Sequence, residues 1–277
     1  MDSDQVNDQG GLRADGRRTL ELRQINVRLG IFGQADGSAY LEQGKTKILA
    51  TVYGPHQPRG AAARNVANKS TKGIVNCQYS MAVFCLSSGE RKKRPRGDRK
   101  TQQRSIQLKH VMEAILNLEH FPRSQIDIFI EVLQADGSDY CVAVNAATLA
   151  LIDAGIPIKD YAIGCTIALP DASAACDGDE NLGIGILDVN NLEETGSSVA
   201  LSVVALPETI NELTKEPGFI VVTQGSGQRL HASRLEAMKL RALYGCRNIK
   251  TILDRAVRHH LTVNSLPSLY NVHALIE

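Results

Sequence analysis

Gln125-Ile126-Asp127-Ile128-Phe129-Ile130-Glu131-Val132-Leu133-Gln134-Ala135-Asp136-Gly137-Ser138-Asp139-Tyr140 is the stretch that decides the fold. Gln125 to Leu133 has the β-branched density of a strand, with Ile126, Ile128, Ile130 and Val132 on one side. The period then changes. Tyr140 to Ala154 is rich in Ala and Leu, which suits a closely packed helix ending at Gly155. Upstream, Thr101 to Leu118 reads as an amphipathic helix, because Leu108, Val111, Met112 and Ile115 share one face at three- and four-residue spacing. Further upstream the pattern from Leu20 to Val52 is β-structure, with Asp36-Gly37 as a hairpin signal and Lys45 to Tyr53 as the return strand. Gly54-Pro55 stops it, Pro58 to Thr71 reads as an exposed loop, and Ile74 to Phe84 as another strand.

Downstream, four shorter strands are predicted near Ala162–Leu169, Ile184–Val189, Ala200–Ala205 and Phe219–Thr223. A last long helix follows from about Ala232 to His259, with Leu235, Met238, Ala242, Cys246, Ile249, Leu253 and Ala256 as its buried stripe. Hairpins, then strand–helix alternation, then strands and a final helix predict an α+β or mixed α/β architecture. No linker separates two units, so residues 12–260 are expected to form one domain between a disordered lead (1–11) and a tail (261–277) without clear period. Gln-Ala-Asp-Gly-Ser-x-Tyr occurs at Gln34–Tyr40 and again at Gln134–Tyr140. Two Asp-Gly turns, or two half-domains of shared origin, both account for it.

With 31 basic and 30 acidic residues the net charge is +1, which excludes a uniformly basic coat and leaves only a local patch for any polyanion. Aromatics are 4% with no Trp, against a base-stacking platform of the RRM kind. No apolar run reaches the roughly 18 residues of a membrane span. The polar start Met1-Asp2-Ser3-Asp4 lacks the basic and apolar parts of a secretory signal. Six scattered cysteines without a Cys-x-x-Cys pair make a poor zinc or disulfide framework, and free thiols in a reducing compartment are the simplest reading.

The strongest charge feature is Arg91-Lys92-Lys93-Arg94-Pro95-Arg96-Gly97-Asp98-Arg99-Lys100, with seven basic residues in ten. It reads as a phosphate-neutralising patch or a nuclear localisation signal, against a merely solvated loop. Arg104, one turn beyond Lys100, would extend the patch onto the helix, and Arg59, Arg64, Lys69 and Lys72 make the earlier loop basic. The turn Ser138-Asp139-Tyr140 opens a helix, where unpaired N–H groups favour anions. Ser and Asp are also good N-caps, and an Asp139 carboxylate would take those donors and repel phosphate, so a capped helix is the better account. Asp188, Glu193 and Glu194 could hold a metal or do acid–base work, but such charges more often lie in solvated loops. The seven histidines show no metal-ligand spacing, and Gly225-Ser226-Gly227 alone is weak evidence for a nucleotide site.

Several segments in order resemble the RNase PH family. They include Arg13-Ala14-Asp15-Gly16-Arg17-Arg18, Gln34-Ala35-Asp36-Gly37-Ser38-Ala39-Tyr40, Glu42-Gln43-Gly44-Lys45-Thr46-Lys47 and Val52-Tyr53-Gly54-Pro55. Pro122-Arg123-Ser124-Gln125-Ile126-Asp127-Ile128, Val132 to Gly137, Asn145 to Ala150 and Asp153-Ala154-Gly155-Ile156-Pro157 continue the match, which runs from about Leu12 to His259. The resemblance implies the RNase PH fold, a repeated βαβα-type unit giving two sheets with helices between, related to the second domain of ribosomal protein S5. It also implies 3′-end phosphorolysis in active members, where phosphate attacks the terminal phosphodiester and a nucleoside diphosphate leaves.

What the resemblance implies for this chain is selective. Active relatives carry Gly-Thr/Ser-Arg where Ser138, Asp139 and Tyr140 stand, so the phosphate-gripping guanidinium is replaced by a phenol beside an acid. The two catalytic aspartates fall on Glu194, which keeps a carboxylate, and on Ala200, which has none. The family's RNA-contacting basic pair matches Arg99 and Lys100, with Arg59 or Arg64 as a further contact in the loop after Tyr53-Gly54-Pro55. The expectation is a non-catalytic ring subunit of the eukaryotic RNA exosome, without cofactor or metal, guiding single-stranded RNA to nucleases elsewhere. Its implied partners are other RNase PH-like ring subunits (the 45 type nearest), S1/KH cap subunits and associated hydrolytic exoribonucleases. Its implied locations are the nucleus, nucleolus included, and the cytoplasm. The alternative is an active phosphorolytic exoribonuclease using Glu194, Asp188 and Arg99.

Overall fold

A computed structural model of the chain describes residues 13–58, 72–86, 89–92, 97–170, 185–210 and 217–273. Arg59, Arg64, Lys69, Cys176, the centre of the basic run (93–96) and the lead 1–11 lie outside the described residues. The first sheet is five-stranded in the order β1-β2-β3-β5-β4, from β1 (Ile25–Leu29), β2 (Gly37–Gln43), β3 (Thr46–His56), β4 (Ile74–Met81) and β5 (Gln125–Gln134). Its pairs are antiparallel except β4 with β5, which run parallel and are joined by helix α1 (Arg99–Ile115). The second sheet is four-stranded in the order β7-β6-β8-β9, from β6 (Ile163–Pro170), β7 (Ile186–Leu187), β8 (Ser197–Ile210) and β9 (Pro217–Gly227), all antiparallel.

Helix α2 (Asp139–Asp153) lies between the sheets, touching β2 and β3 on one side and β6 on the other. That position explains its composition: every residue from Tyr140 to Leu151 is buried, so no face has a use for charge. Asn145 answers the second sheet through its side chain, accepting from Gly164 N at 2.7 Å and donating to Gly164 O at 3.2 Å. A short helix α3 (Asn191–Thr195) follows β7, and a long helix α4 (Ala232–His273) packs on β6 and β8. One hydrophobic core runs through both sheets, from Ile48 and Ile128 to Ile163, Val203 and Cys246.

Three boundaries differ from the sequence reading. β4 ends at Met81 rather than Phe84, because Cys85 N turns back to Ala82 O and leaves Phe84 exposed. Helix α4 continues through the expected tail to His273. The tight turn between β2 and β3 is Gly44-Lys45, not Asp36-Gly37; Gln43 pairs with Thr46 and Gly44 has a φ of 62°. Gly37 instead opens β2 at a crowded contact with α2, where a Cβ would lie 2.3 Å from Ala150 O and 2.5 Å from Ala154 N. The two copies of Gln-Ala-Asp-Gly-Ser-x-Tyr therefore do different work, since Gly137 is a true turn residue (φ 78°) between β5 and α2. Gly37→Ala is expected to lower stability by about 1–3 kcal/mol through overpacking, whereas Gly33→Ala, with nothing within 4 Å of its Cβ, should change little; denaturant unfolding of both variants checks this.

Candidate functional site

The loop ends of both sheets meet around one arginine. Arg23 donates its backbone N–H to Asp188 Oδ2 at 2.8 Å, and its Nε and Nη2 to Asp188 Oδ1 at 3.0 and 2.7 Å. The same guanidinium donates to Asp136 O at 2.8 Å and to Thr46 Oγ1 at 3.3 Å. It thus ties the β5–α2 turn to the segment after β7. Asp188 is 1% exposed and has a left-handed φ of 51°. Burial pushes its carboxyl up, but the Arg23 charge and hydrogen bonds outweigh that and hold it below its ordinary 3.8. Nearby, Glu193 is gripped by the Arg13 guanidinium and closes a capping box with Asn190 at the start of α3.

These findings correct the solvated-loop reading of Asp188 and Glu193: both are buried structural anions. They also remove Asp188 from the alternative catalytic set, since its two oxygens face Arg23. The signal available in the sequence was the arginine-rich Arg13 to Arg23 segment, whose targets lie 165 to 180 residues away.

The clasp shapes a cleft of about 360 Å³ lined by Arg104, Gly137, Asp139, Asn191 and Glu194, with Met81 and Leu86 on the strand side and Ser226 opposite. Ser138 takes an αL conformation (φ 54°), unusual for a residue with a Cβ. Its Oγ donates to Val189 O at 3.1 Å and its N–H to Glu194 Oε2 at 3.3 Å. Asp139 is the first residue of α2 rather than its cap, and its Oδ1 accepts from Tyr140 N at 3.0 Å. Two backbone donors at this helix start are therefore already spent on carboxylates.

Arg104, expected to carry the basic patch outward, turns into the cleft instead. It donates from Nη1 to Asp139 Oδ2 at 2.6 Å and from Nη2 to Oδ1 at 3.1 Å. Its Nη1 also reaches the Tyr79 hydroxyl at 3.0 Å, and its guanidinium lies 5.4 Å from the Tyr79 ring centre. The reason is helical phase: Arg104 lies one turn before Leu108 and one after Thr101, both buried, so it shares the inward stripe. Burial, then the Asp139 charge, keep the Tyr79 phenol far above its ordinary pKa, so it stays a neutral donor to Asp139 Oδ2 at 3.3 Å.

Glu194 is raised above its ordinary 4.5, first by burial and then by the Asp139 charge, against the Ser138 N–H and the Arg104 and Arg23 charges. Tyr140, expected to stand at the phosphate-gripping position, does not line the cleft; it is 3% exposed in the core. Ala200 is likewise absent from the lining and packs with Ala168, Ile186 and Val189. The formal charge of the lining is −1, from Arg104 against Asp139 and Glu194.

Arg99 and Lys100 occupy the first turn of α1, exposed and without an ion pair among the described residues. No acid lies in that turn and the Asp98 side chain makes no cap hydrogen bond, so apart from the Asp98 carboxylate at the cap the two cations stand at the positive end of a helix without an ion-pair partner among the described residues. Lys72 is paired with Glu119 at 3.2 Å. No group of three or more His, Cys, Asp or Glu side chains fit to hold a metal occurs among the described residues. The five described cysteines are buried and free.

A fold of two sheets around a buried helix, with a cleft at a strand–turn–helix junction, is the architecture of a family: the model of RNase PH, the 3′ exoribonuclease family, domain 1, matches residues 21–157. The chain belongs to the RNase PH family. It is 44% identical over 261 residues to human exosome complex component RRP41, covering 94% of this chain and 96% of that one. An RRP41 homologue of Arabidopsis thaliana is 40% identical over 72% of this chain and 75% of its own, and Rrp41 of the archaeon Cenarchaeum symbiosum 35% identical over 90% and 92%. The crystal structure of rice Rrp46 shares the fold, with a TM-score of 0.71 at 21% identity over 89% of this chain and all of that one.

Asp188→Ala should cost about 3–5 kcal/mol at neutral pH by leaving Arg23 buried and unpaired. Because the folded-state pKa of Asp188 is depressed, its contribution is complete above pH 3.8 and is lost as pH falls below that value. Denaturant unfolding of the two proteins should therefore diverge at neutral pH and converge in acid.

Proposed function

We propose that this chain is a non-catalytic, RNA-binding core subunit of an RNA exosome ring, lining a channel that leads RNA 3′ ends to nucleases elsewhere for rRNA processing and decay. The observation that carries the non-catalytic reading is the Arg104–Asp139 pair. A phosphate in the cleft would feel Arg104 and Asp139 at similar range. Each is worth about 4 kcal/mol per unit charge at 4 Å and an effective dielectric of 20, with opposite sign. The two nearly cancel, Glu194 adds repulsion, and two helix-terminal donors are already occupied. The attacking anion has no net attraction and no free cradle.

The RNA-binding reading rests on Arg99 and Lys100, whose charges are available and placed to meet backbone phosphates. The names borne by its relatives support membership of an exosome. Other RNase PH-like ring subunits, S1/KH cap proteins and hydrolytic exoribonucleases are the partners this role requires, and the nucleus, nucleolus and cytoplasm the compartments it fits. One observation favours a second reading, an active phosphate-dependent 3′-5′ exoribonuclease: Glu194 lines the cleft with a raised pKa, as a general acid needs.

An assembled ring lacking its hydrolytic subunits, incubated with RNA and phosphate, should release no nucleoside diphosphate. Release that Glu194→Gln abolishes would overturn the proposal in favour of the second reading. Arg99→Glu with Lys100→Glu should weaken RNA binding and reduce the log–log salt slope by roughly 1.4, about 0.7 for each phosphate no longer neutralised. Ring assembly, read by size-exclusion chromatography, should be unchanged; its loss would make the pair structural.

A further inference from the structure

A groove of about 820 Å³ runs between strand β1 and the far part of helix α4, sharing no lining residue with the cleft. On the strand side it is lined by an unbroken run, Val27 to Ile31, rather than by alternate residues. A sheet approached face-on shows every second side chain, so a continuous run means the groove lies along the edge of β1. That edge is open: β1 pairs only with β2, through the register Val27↔Leu41 and Leu29↔Ala39.

The direction of its backbone groups follows from the flanking bonds. Gly30 N donates to Ser38 O and Gly44 N to Gln24 O, so in this antiparallel ladder the even-numbered residues bond to β2. The N–H and C=O of Ile25, Val27 and Leu29 therefore face outward, and no backbone bond among the described residues reaches them. The opposite wall is the α4 face carrying Ile252, Ala256 and Val263. Arg28, Arg255, His259 and His260 complete the lining, with no acidic residue in it. The carboxylates that flank it have partners of their own: Glu42, on the sheet face that carries Arg28, accepts from the Tyr40 hydroxyl at 2.7 Å and lies 3.6 Å from Lys47 Nζ, Asp153 accepts from Ser38 N at 2.9 Å and lies 3.8 Å from His260 Nε2, and Asp254 pairs with Arg258. Arg28 and Arg255 are exposed and without an ion pair among the described residues.

We propose that this groove binds an extended, acidic segment of a partner protein, which adds to the sheet as a strand beside β1 and seats alternate apolar side chains between β1 and α4. Main-chain hydrogen bonds to Val27 and Leu29 supply the register, the apolar walls receive every second side chain, the carboxylates on the segment's other face meet Arg28, and Arg255 on α4 adds to the positive field that draws an acidic segment in. An open strand edge beside an apolar trough is otherwise an aggregation hazard that a fold would be expected to block. A nucleic acid would leave both the apolar walls and the strand edge unused, which favours a peptide.

The test uses the full chain and a labelled peptide of about eight residues, a usual strand length, alternating valine with glutamate, beside its lysine-for-glutamate counterpart. Fluorescence anisotropy should show saturable binding of the acidic peptide only, weakened roughly tenfold or more in Arg28→Glu with Arg255→Glu and diminished by salt. Val27→Pro removes one outward N–H without touching the β1–β2 bonds, so it should weaken binding well beyond Val27→Ala, which also trims a side chain packed against the core but keeps that N–H. Hydrogen exchange on the wild-type chain reads the same contact without any substitution: the Val27 and Leu29 amides should gain protection with the acidic peptide. Equal binding of both peptides, no binding, or protection of those amides by single-stranded RNA instead would overturn the proposal.

Discussion

The clasp between Arg23 and Asp188 is the constraint on which the site depends. Both side chains are almost wholly buried, at 5% and 1% exposure, and a charge that deep is tolerated only when paired and hydrogen-bonded. Arg23 meets that condition with five acceptors drawn from three parts of the chain: the Asp188 carboxylate, the Asp136 and Gly137 carbonyls, and Thr46. The turn that opens α2 is thereby fixed against the segment that leads into α3. Only in that arrangement do Asp139 and Glu194 face one cleft, and only then can Ser138 hold its left-handed backbone with its N–H directed at Glu194.

Within this frame the chemistry of the cleft follows from charge. The junction of a strand with a helix start is well suited to hold an anion, because N–H groups converge there. Here the chain supplies its own anions. Asp139 takes the Arg104 guanidinium in a bidentate pair, Glu194 takes a backbone donor, and the Tyr79 phenol completes the cluster as a neutral donor. Cationic capacity persists a turn and more away, at Arg99 and Lys100, on the solvent side of α1. A cleft satisfied from within and a basic edge left open is the electrostatic pattern on which the proposed role rests.

How much of this could be read from the sequence depends on range. β5 and α2 were legible because their periods, two and then a continuous apolar run, are properties of neighbouring residues. The second sheet was legible in order but not in extent, since β8 and β9 run well beyond the apolar residues that signalled them. Asp36-Gly37 misled because the glycine answers a close approach by α2, which lies more than a hundred residues away, and not a local turn. Asp188 and Glu193 looked like solvated charges because their arginines stand at the other end of the chain. Arg104 was the one long-range feature with a local clue: its spacing from Thr101 and Leu108 places it on the buried stripe of α1. Tyr140 was read as standing at the phosphate position, yet its burial in the core keeps it away from the cleft surface.

The central claim, that internal carboxylates occupy the place of the attacking anion, is tested most directly by titrating orthophosphate into the intact protein at neutral pH and following phosphorus-31 line broadening. The account expects no saturable binding to the wild-type chain, with saturable binding emerging in Asp139→Ser, where Arg104 is released. Saturable binding to the wild-type chain, undiminished by Arg104→Gln or unaltered by Asp139→Ser, would contradict it.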